Sequence, residues 1–222
     1  MLEKFDVLNM ETRDQGLDEG MWDIAINTFY SSPMYHNQFE NSDEDRNGSS
    51  RHLEDAAKLG RRDELEKMFN TQYKAFHDTP NLIHDQGDYY SAEGYGIWSA
   101  GIQQALNQSL SPLPGEEEVI RVFPAWPLKW DAKYKLLAKG GFLVSSSLVN
   151  EDIEYVEIES TLGGECRIRN PWDNNIVLYR NNVKSETIQA GENDLIKFST
   201  AKDEHIVIVR EGTTPDDYRD SL

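Results

Sequence analysis

The chain has 222 residues, of which 40 are acidic and 22 are basic, giving a formal net charge of −18 at pH 7. This negative excess repels phosphate backbones and anionic lipid surfaces, so we expect neither nucleic acid nor a membrane as a partner, and a neutral ligand fits better. A mean hydropathy of −0.68 and an N-terminal sequence without the basic-then-apolar order of a signal peptide predict neither a transmembrane span nor an export signal in this chain.

The first half of the chain has the apolar periodicity of helices. Asp18 precedes an apolar stripe that ends before Pro33, which predicts a helix with one buried face. A second helix is predicted from residue 49 or 50 to Gly60, a third begins near Asp63, which has capping-box spacing, and a fourth spans about residues 94–110. The short connections favour antiparallel αα-hairpins. The predicted buried face of the first helix consists of Met21, Trp22, Ala25, Ile26 and Phe29.

The second half consists of short β-branched and aromatic runs separated by glycine-containing turns. This pattern predicts an antiparallel β-sandwich. The breaker cluster at 111–115 divides the chain into a helical domain, 1–114, and a β-domain, 115–222, with a frayed tail after Gly212. The predicted fold class is therefore α+β. The strand-like runs are 119–123, 134–137, 142–144, 155–158, 166–168, 176–179, 195–198 and 205–209.

Two segments of the helical half, 34–48 and 77–96, are far richer in polar and aromatic residues than connections require. Long loops inside a compact helical region are usually functional or disordered, and the aromatic content argues against disorder. Carboxylates and amides bond sugar hydroxyls, whereas Tyr and Trp rings pack on the apolar face of a pyranose. The mixture therefore favours a carbohydrate ligand.

We predict no cofactor and no metal. The order Asp-x-Asp-x-Asn-Gly at 43–48 is similar to the start of a calcium loop, but a solvated acidic turn is the favoured interpretation. The histidines lack zinc-ligand spacing, and the single cysteine, Cys166, is interpreted as a packing residue. Arg51, Glu54 and Asp55 suit a charged helix start as well as a substrate-facing role. Trp126 and Trp130 are interpreted as packing residues rather than sugar platforms.

Three segments of the chain carry a family resemblance: EGYGIWSAGIQQALNQS at 93–109, FPAWP at 123–127 and AKGGF at 138–142. Together they resemble glycoside hydrolase family 95 and its relatives, which comprise inverting α-L-fucosidases and α-galactosidases. The family joins an acidic residue and Gly to a helix containing Ala-Gly-Ile, followed by a Pro-Ala-x-Pro segment and a Gly-Gly-Phe strand. The resemblance covers about residues 81–144, and it begins with the Pro-Asn-Leu sequence at 80–82.

The resemblance implies the late part of an (α/α)6 barrel with an appended β-domain, and it places Glu93 at the position of the family's catalytic-base Asp. Glu replaces that Asp here, and Tyr95 stands where the family usually has Asn, which leaves the sugar and linkage open. The resemblance places the general acid upstream of this chain. The chain is therefore expected to be the C-terminal fragment of a larger enzyme.

The leading hypothesis is the C-terminal portion of an inverting exo-glycosidase that hydrolyses terminal sugars of complex glycans or polysaccharides and is inactive alone. Its partners would be the carbohydrate substrate and the missing N-terminal part, and by resemblance the parent would be periplasmic or secreted. One alternative is a non-catalytic carbohydrate-binding protein, and another is an unstable fragment without a function of its own. The candidate substrate-binding residues beside Glu93 are Asn37, Arg51, His52, Asp85, Asp88, Tyr90 and Trp98.

Overall fold

The computed structural model describes residues 7–16, 18–32, 51–76, 92–113 and 115–218. The chain divides into two compact units. The helical unit holds the described chain up to Leu106, together with 112–113 and Pro124–Pro127. The β unit holds Asn107–Ser111, Gly115–Phe123 and the described residues after 127.

Five α-helices are described in the helical unit. Their bounds are α1 Met10–Asp14, α2 Glu19–Tyr30, α3 His52–Lys58, α4 Arg62–Phe76 and α5 Ala92–Leu106. The helices after Asp18, before Gly60 and near Asp63 are confirmed. The short helix α1 is absent from the sequence prediction because its five residues show no apolar period, yet the Asn9 side chain caps it by accepting hydrogen bonds from the backbone N–H groups of Glu11 and Thr12.

The predicted buried face of α2 is correct at its C-terminal end and wrong at its start. Ala25 and Phe29 are buried, and Trp22 and Ile26 pack against the same core. Met21 is 45% exposed instead, because α2 directs a narrower stripe to the core than the apolar residues of its sequence suggest. The buried core of this unit consists of Ala25, Phe29, Leu53, Ala56, Ala57, Leu59, Leu65, Met68, Ala105 and Ala125.

Helix α5 ends at Leu106, four residues earlier than the sequence predicts. The next residues, Asn107–Leu110, form strand β1, which pairs antiparallel with Val119–Val122. The breaker cluster after Leu110 therefore connects two paired strands. Cross-strand hydrogen bonds to a β-branched partner override the helix propensity of this short segment, a competition that local sequence does not reveal.

The β unit contains ten strands. Their bounds are β1 Asn107–Leu110, β2 Val119–Val122, β3 Ala132–Ala138, β4 Phe142–Val149, β5 Asp152–Ser160, β6 Gly164–Arg169, β7 Ile176–Arg180, β8 Val183–Ile188, β9 Leu195–Thr200 and β10 Glu204–Arg210. All eight predicted runs coincide with strands. The two missed strands, β1 and β8, are polar and lie at the edges of sheets, so they lack the apolar alternation that identifies a strand.

The strands form two sheets, β1-β2-β6-β9 and β3-β4-β5-β10-β7-β8. All pairs are antiparallel except β2 with β6, which are parallel at Ile120 and Ile168. Contacts join the two sheets: the hydroxyl groups of Ser160 on β5 and Thr200 on β9 are 2.8 Å apart. Two packed, largely antiparallel sheets agree with the predicted sandwich, and the α+β class is confirmed.

The assignment of the helices to part of an (α/α)6 barrel stays a prediction. Among the described residues, no helix is both long enough and apolar enough to cross a membrane. A frayed tail is predicted after Gly212, but the chain forms a 3-10 helix at Pro215–Tyr218, and residues 219–222 lie outside the described part.

Candidate functional site

Glu93, the predicted catalytic base, is the second residue of helix α5. A carboxylate in the first turn of a helix lies close to the unpaired backbone N–H groups and the positive end of the helix dipole, which stabilise its negative charge by about 0.3–1 kcal/mol. The Glu93 side chain lies outside the described residues.

The small residue Gly101 fixes α5 against α3. A Cβ atom at Gly101 would lie 2.7 Å from Cγ of Leu53, closer than carbon atoms approach without displacement. Leu53 is fully buried and directly follows His52 in the chain. The close approach at Gly101 therefore sets the separation between the helix that carries Glu93 and Trp98 and the helix that begins with His52.

Trp98, a predicted sugar-contacting residue, is partly buried against the helical core. Its ring meets the ring of Phe69 edge-to-face at a centroid distance of 4.9 Å. Phe69 also contacts Trp126 edge-to-face at 5.8 Å. Ala125 next to Trp126 donates its N–H to the carbonyl of Ala105 at 3.3 Å. Trp126 therefore acts in packing, as predicted, and part of the Trp98 ring is engaged in the same aromatic cluster.

Arg51 and His52, adjacent in sequence, occupy different environments. Arg51 is exposed and stands at the N-cap position of α3, where its carbonyl accepts the N–H of Asp55 at 2.9 Å. His52 is buried, and its ring centroid lies 5.5 Å from that of Phe29. Of this pair, Arg51 is the one whose side chain is accessible from solvent.

Two polar clusters near α3 and α4 are absent from the predicted site. Lys58 is almost fully buried and forms a 2.7 Å ion pair with Glu54. The two residues are four positions apart on the helix, and this i, i+4 spacing is the sequence signal that could have identified the pair. This pairing favours the helix-stabilising interpretation of Glu54. Tyr30 accepts a hydrogen bond from Arg61 at 2.7 Å, and burial, followed by the charge of Glu64, raises the pKa of Tyr30.

Four predicted substrate-binding residues lie outside the described residues: Asn37, Asp85, Asp88 and Tyr90. The segment 43–48, with its calcium-loop order, also lies outside them. Among the residues whose placement is described, no group of three or more His, Cys, Asp or Glu side chains is arranged to hold a metal ion. Of the predicted site residues, the structure describes Arg51 and His52 at the start of α3 and Trp98 and the backbone of Glu93 on α5. The two helices approach closely at Gly101 and Leu53.

In the β unit, the single cysteine has the packing environment predicted for it. Cys166 is buried on β6, and burial raises the pKa of its thiol to about 12. The thiol is therefore protonated at neutral pH, a state in which it is a poor nucleophile and a poor metal ligand. Polar groups on the six-stranded sheet pair across strands, with Lys135 bonded to Glu159 and His205 bonded to Glu157.

Comparison with protein families shows that residues 115–208 match the glycoside hydrolase family 95, C-terminal domain. The resemblance identified from the sequence is therefore confirmed for the β unit. The matched region begins after Glu93, so it contains no predicted site residue. The similarity to glycoside hydrolases is therefore shown for residues 115–208.

Solved structures similar to the chain include a GH127 β-L-arabinofuranosidase from Geobacillus stearothermophilus T6. The two share 14% sequence identity with a TM-score of 0.29, and the match covers 55% of this chain and 20% of that enzyme. A TM-score this low does not define a shared fold. The comparison with curated proteins found no match.

Proposed function

We propose that this chain is the C-terminal portion of an inverting exo-glycosidase that removes terminal sugars from complex glycans or polysaccharides. The match of residues 115–208 to a glycoside hydrolase family 95 C-terminal domain carries this proposal. That domain gives the chain a carbohydrate-active relative, and the sequence resemblance at 93–109 extends the likeness into the helix that precedes it. The parent enzyme acts in the periplasm or outside the cell.

In the proposed mechanism, Glu93 is the general base. An inverting glycosidase uses one carboxylate to activate water on one face of the sugar while a carboxylic acid about 6.5–9.5 Å away protonates the leaving oxygen. The base must be ionised before the reaction, and the first turn of α5 favours the ionised form. This position suits a base better than an acid, because a general acid has to keep its proton near neutral pH.

Arg51, His52 and Trp98 are the proposed substrate contacts within the described residues. Arg51 is solvent-exposed and its guanidinium can donate to sugar hydroxyls. Trp98 is only partly buried, and we propose that the exposed part of its ring packs against the apolar face of a pyranose. His52 is buried, and we assign it a positioning role beside Arg51. Asn37, Asp85, Asp88 and Tyr90 complete the proposed set.

The chain is incomplete as an enzyme in this proposal, since the general acid belongs to an upstream part of the parent. Two exposed apolar residues on α2 support this view. Met21 is 45% and Ile24 60% exposed, as expected of a helix whose neighbours are supplied by additional chain. The missing N-terminal part is therefore the proposed intramolecular partner of the helical unit.

The test is a Glu93→Gln substitution in the full-length parent, assayed on α-L-fucosides and α-galactosides with the anomeric form of the first product followed by NMR. We expect inversion and a loss of at least about 10²-fold in kcat, because the base is removed while its shape is kept. Glu19→Gln is the matched control, since Glu19 also lies in the first turn of a helix but outside the proposed site. It should leave kcat unchanged.

Turnover of the Glu93→Gln parent within about threefold of the wild type would contradict the role of Glu93. Sugar binding by calorimetry, with no hydrolysis by either the chain or its parent, would favour the non-catalytic carbohydrate-binding alternative. Hydrolysis by the present chain alone would overturn the claim that it lacks the general acid.

A further inference from the structure

Charged residues meet at one end of the strand pair β5–β10 in the six-stranded sheet. The two strands pair antiparallel as far as Ile208 and Val156. Arg210 lies two residues after Ile208, and Glu154 lies two residues before Val156. The Nη2 atom of Arg210 donates a hydrogen bond to Asp152 at 2.6 Å, so the end of β10 reaches the start of β5. Arg210 and Glu154 therefore lie on adjacent strands at the same end of the sheet.

Glu154 is the extra residue of a β-bulge. Strand β4 pairs with the residues on either side of Glu154, and Glu154 itself has no partner residue on β4. Bulges redirect side chains and often lie next to functional sites. Burial, followed by the charges of Glu157 and Glu154, raises the pKa of Tyr155 to about 12. The bulge therefore directs the Glu154 carboxylate close to Tyr155.

Two polar atoms at this end of the sheet are buried without a hydrogen-bond partner among the described residues: Nε of Arg210 and Oε2 of Glu154. The first is a donor, and the second, when ionised, is an acceptor. Arg210 forms its ion pair with Asp152 rather than with Glu154. Proteins rarely bury such groups unpaired, because each loses its bonds to water. One hydroxyl group would satisfy both atoms, since its oxygen accepts from Nε and its hydrogen is donated to Oε2.

Tyr218 covers this end of the sheet. Its ring centroid lies 6.3 Å from that of Tyr155, and its hydroxyl accepts a hydrogen bond from Arg210 at 3.5 Å. A donor–acceptor distance of 3.5 Å is long for a hydrogen bond, so this bond is weak. The helix that carries the ring, Pro215–Tyr218, has no fully buried residue. The polar contact that holds Tyr218 over the charged residues is therefore easily broken.

We propose that Glu154, Arg210 and Tyr155 form a second carbohydrate site, which Tyr218 covers. A sugar hydroxyl bridges Nε of Arg210 and Oε2 of Glu154, and the pyranose takes the place that the Tyr218 ring holds on Tyr155. Carboxylate, guanidinium and aromatic ring are the groups that bind sugars, and a net charge of −18 disfavours an anionic ligand. The choice of a sugar rests on the proposed function, and water is the other source of a hydroxyl group.

The experiment follows the Nε–H signal of Arg210 by NMR in the isotope-labelled full chain, with methyl α-D-galactoside and methyl α-L-fucoside as probes. The signal is assigned by its loss in Arg210→Lys. We expect a saturable shift with at least one glycoside and none with glycerol, which has hydroxyl groups but no pyranose face. A signal that shows contact with water and no shift with either glycoside would overturn the proposal, because water would then be the bridging group.

Three variants test the residues of the site. Glu154→Ala removes the acceptor and should weaken glycoside binding at least about tenfold. Glu165→Ala, which removes an exposed carboxylate from β6 of the other sheet, is the matched control and should leave the affinity unchanged. Tyr218→Phe keeps the ring but removes its bond to Arg210, so the cover opens more readily and the affinity should rise by about two- to fivefold. Unchanged affinity in both Glu154→Ala and Tyr218→Phe would overturn the proposal.

A further variant separates this site from the proposed active site. If Arg51→Ala abolishes glycoside binding and Glu154→Ala does not, the sugar occupies the proposed active site, and the second site is wrong while the proposed function stands. If Glu154→Ala weakens binding and Arg51→Ala does not, the second site is supported. That result holds even if Glu93→Gln leaves the turnover of the parent unchanged, because binding here is measured without hydrolysis.

Discussion

The two units of this protein bury different kinds of side chain. The β unit places aliphatic and aromatic residues from alternate strand positions between two sheets, and its strand region is what the family match covers. The helical unit relies more on small residues, because Ala56, Ala57 and Ala105 are fully buried in its core and Gly101 lies against Leu53. The family match therefore lies in the β unit, whereas the proposed chemistry depends on the helical unit.

The largest effect that tests this comparison is expected from core truncation. Ile158 on β5 is fully buried, so Ile158→Ala should lower the free energy of unfolding by about 2–5 kcal/mol, measured by chemical denaturation. Leu65→Ala is the counterpart in the helical unit, where the side chain is equally buried. Leu137→Ala is the control, because a 70% exposed side chain should change stability by no more than about 0.5 kcal/mol.

A cost for Leu65→Ala similar to that for Ile158→Ala would show that the helical unit is as closely packed as the β unit. A much smaller loss of stability for Leu65→Ala would show that the helical core packs loosely in this chain, and this result would support the fragment hypothesis. An Ile158→Ala variant as stable as the wild type would contradict the packing of the sandwich.

A smaller effect is expected at the contact between α3 and α5. Gly101→Ala forces a methyl group into Leu53 and should destabilise the protein by about 1–3 kcal/mol through overpacking. Gly96→Ala in the same helix is the matched control, since no atom of the described residues lies within 4 Å of its added Cβ, and it should stabilise by about 0.5–1 kcal/mol. Thermal denaturation of both variants measures the difference. Equal effects would show that the two helices do not approach closely at Gly101.

The smallest effect at neutral pH concerns Cys166, which titrates only in alkali. Burial raises its pKa from 9.0 to about 12, so above pH 9 the unfolded chain loses a proton that the folded chain retains. The buried thiol therefore makes its full contribution to the free energy of unfolding below pH 9. This contribution falls as the pH rises towards 12, by up to about 1.4 kcal/mol per pH unit. Denaturation at pH 7 to 11 should show a shallower loss in Cys166→Ala than in the wild type. An equal pH dependence of the free energy of unfolding in the wild type and in Cys166→Ala would contradict the raised pKa of the thiol.

Much of the fold could be predicted from local patterns. The eight apolar runs became strands because alternation and glycine turns are local signals, and α2 began after Asp18 because its side chain caps Gly20. Strands β1 and β8 could not be predicted in this way, since each is polar and depends on a partner strand. The candidate site was predicted from resemblance, and the structure adds the close approach of α3 and α5 at Leu53 and Gly101.

By itself, the sequence determined the α+β class, most strand positions, the resemblance of the β unit to a glycoside hydrolase domain and the packing role of Cys166. Tertiary structure alone decided that Asn107–Leu110 is a strand, that Met21 is exposed to solvent and that the Leu53 side chain packs directly against Gly101. It also decided that Tyr218 lies on Tyr155. The physical reason is that each of these features depends on a contact with residues distant in sequence. The periodicity of one segment does not show which distant residues it will contact.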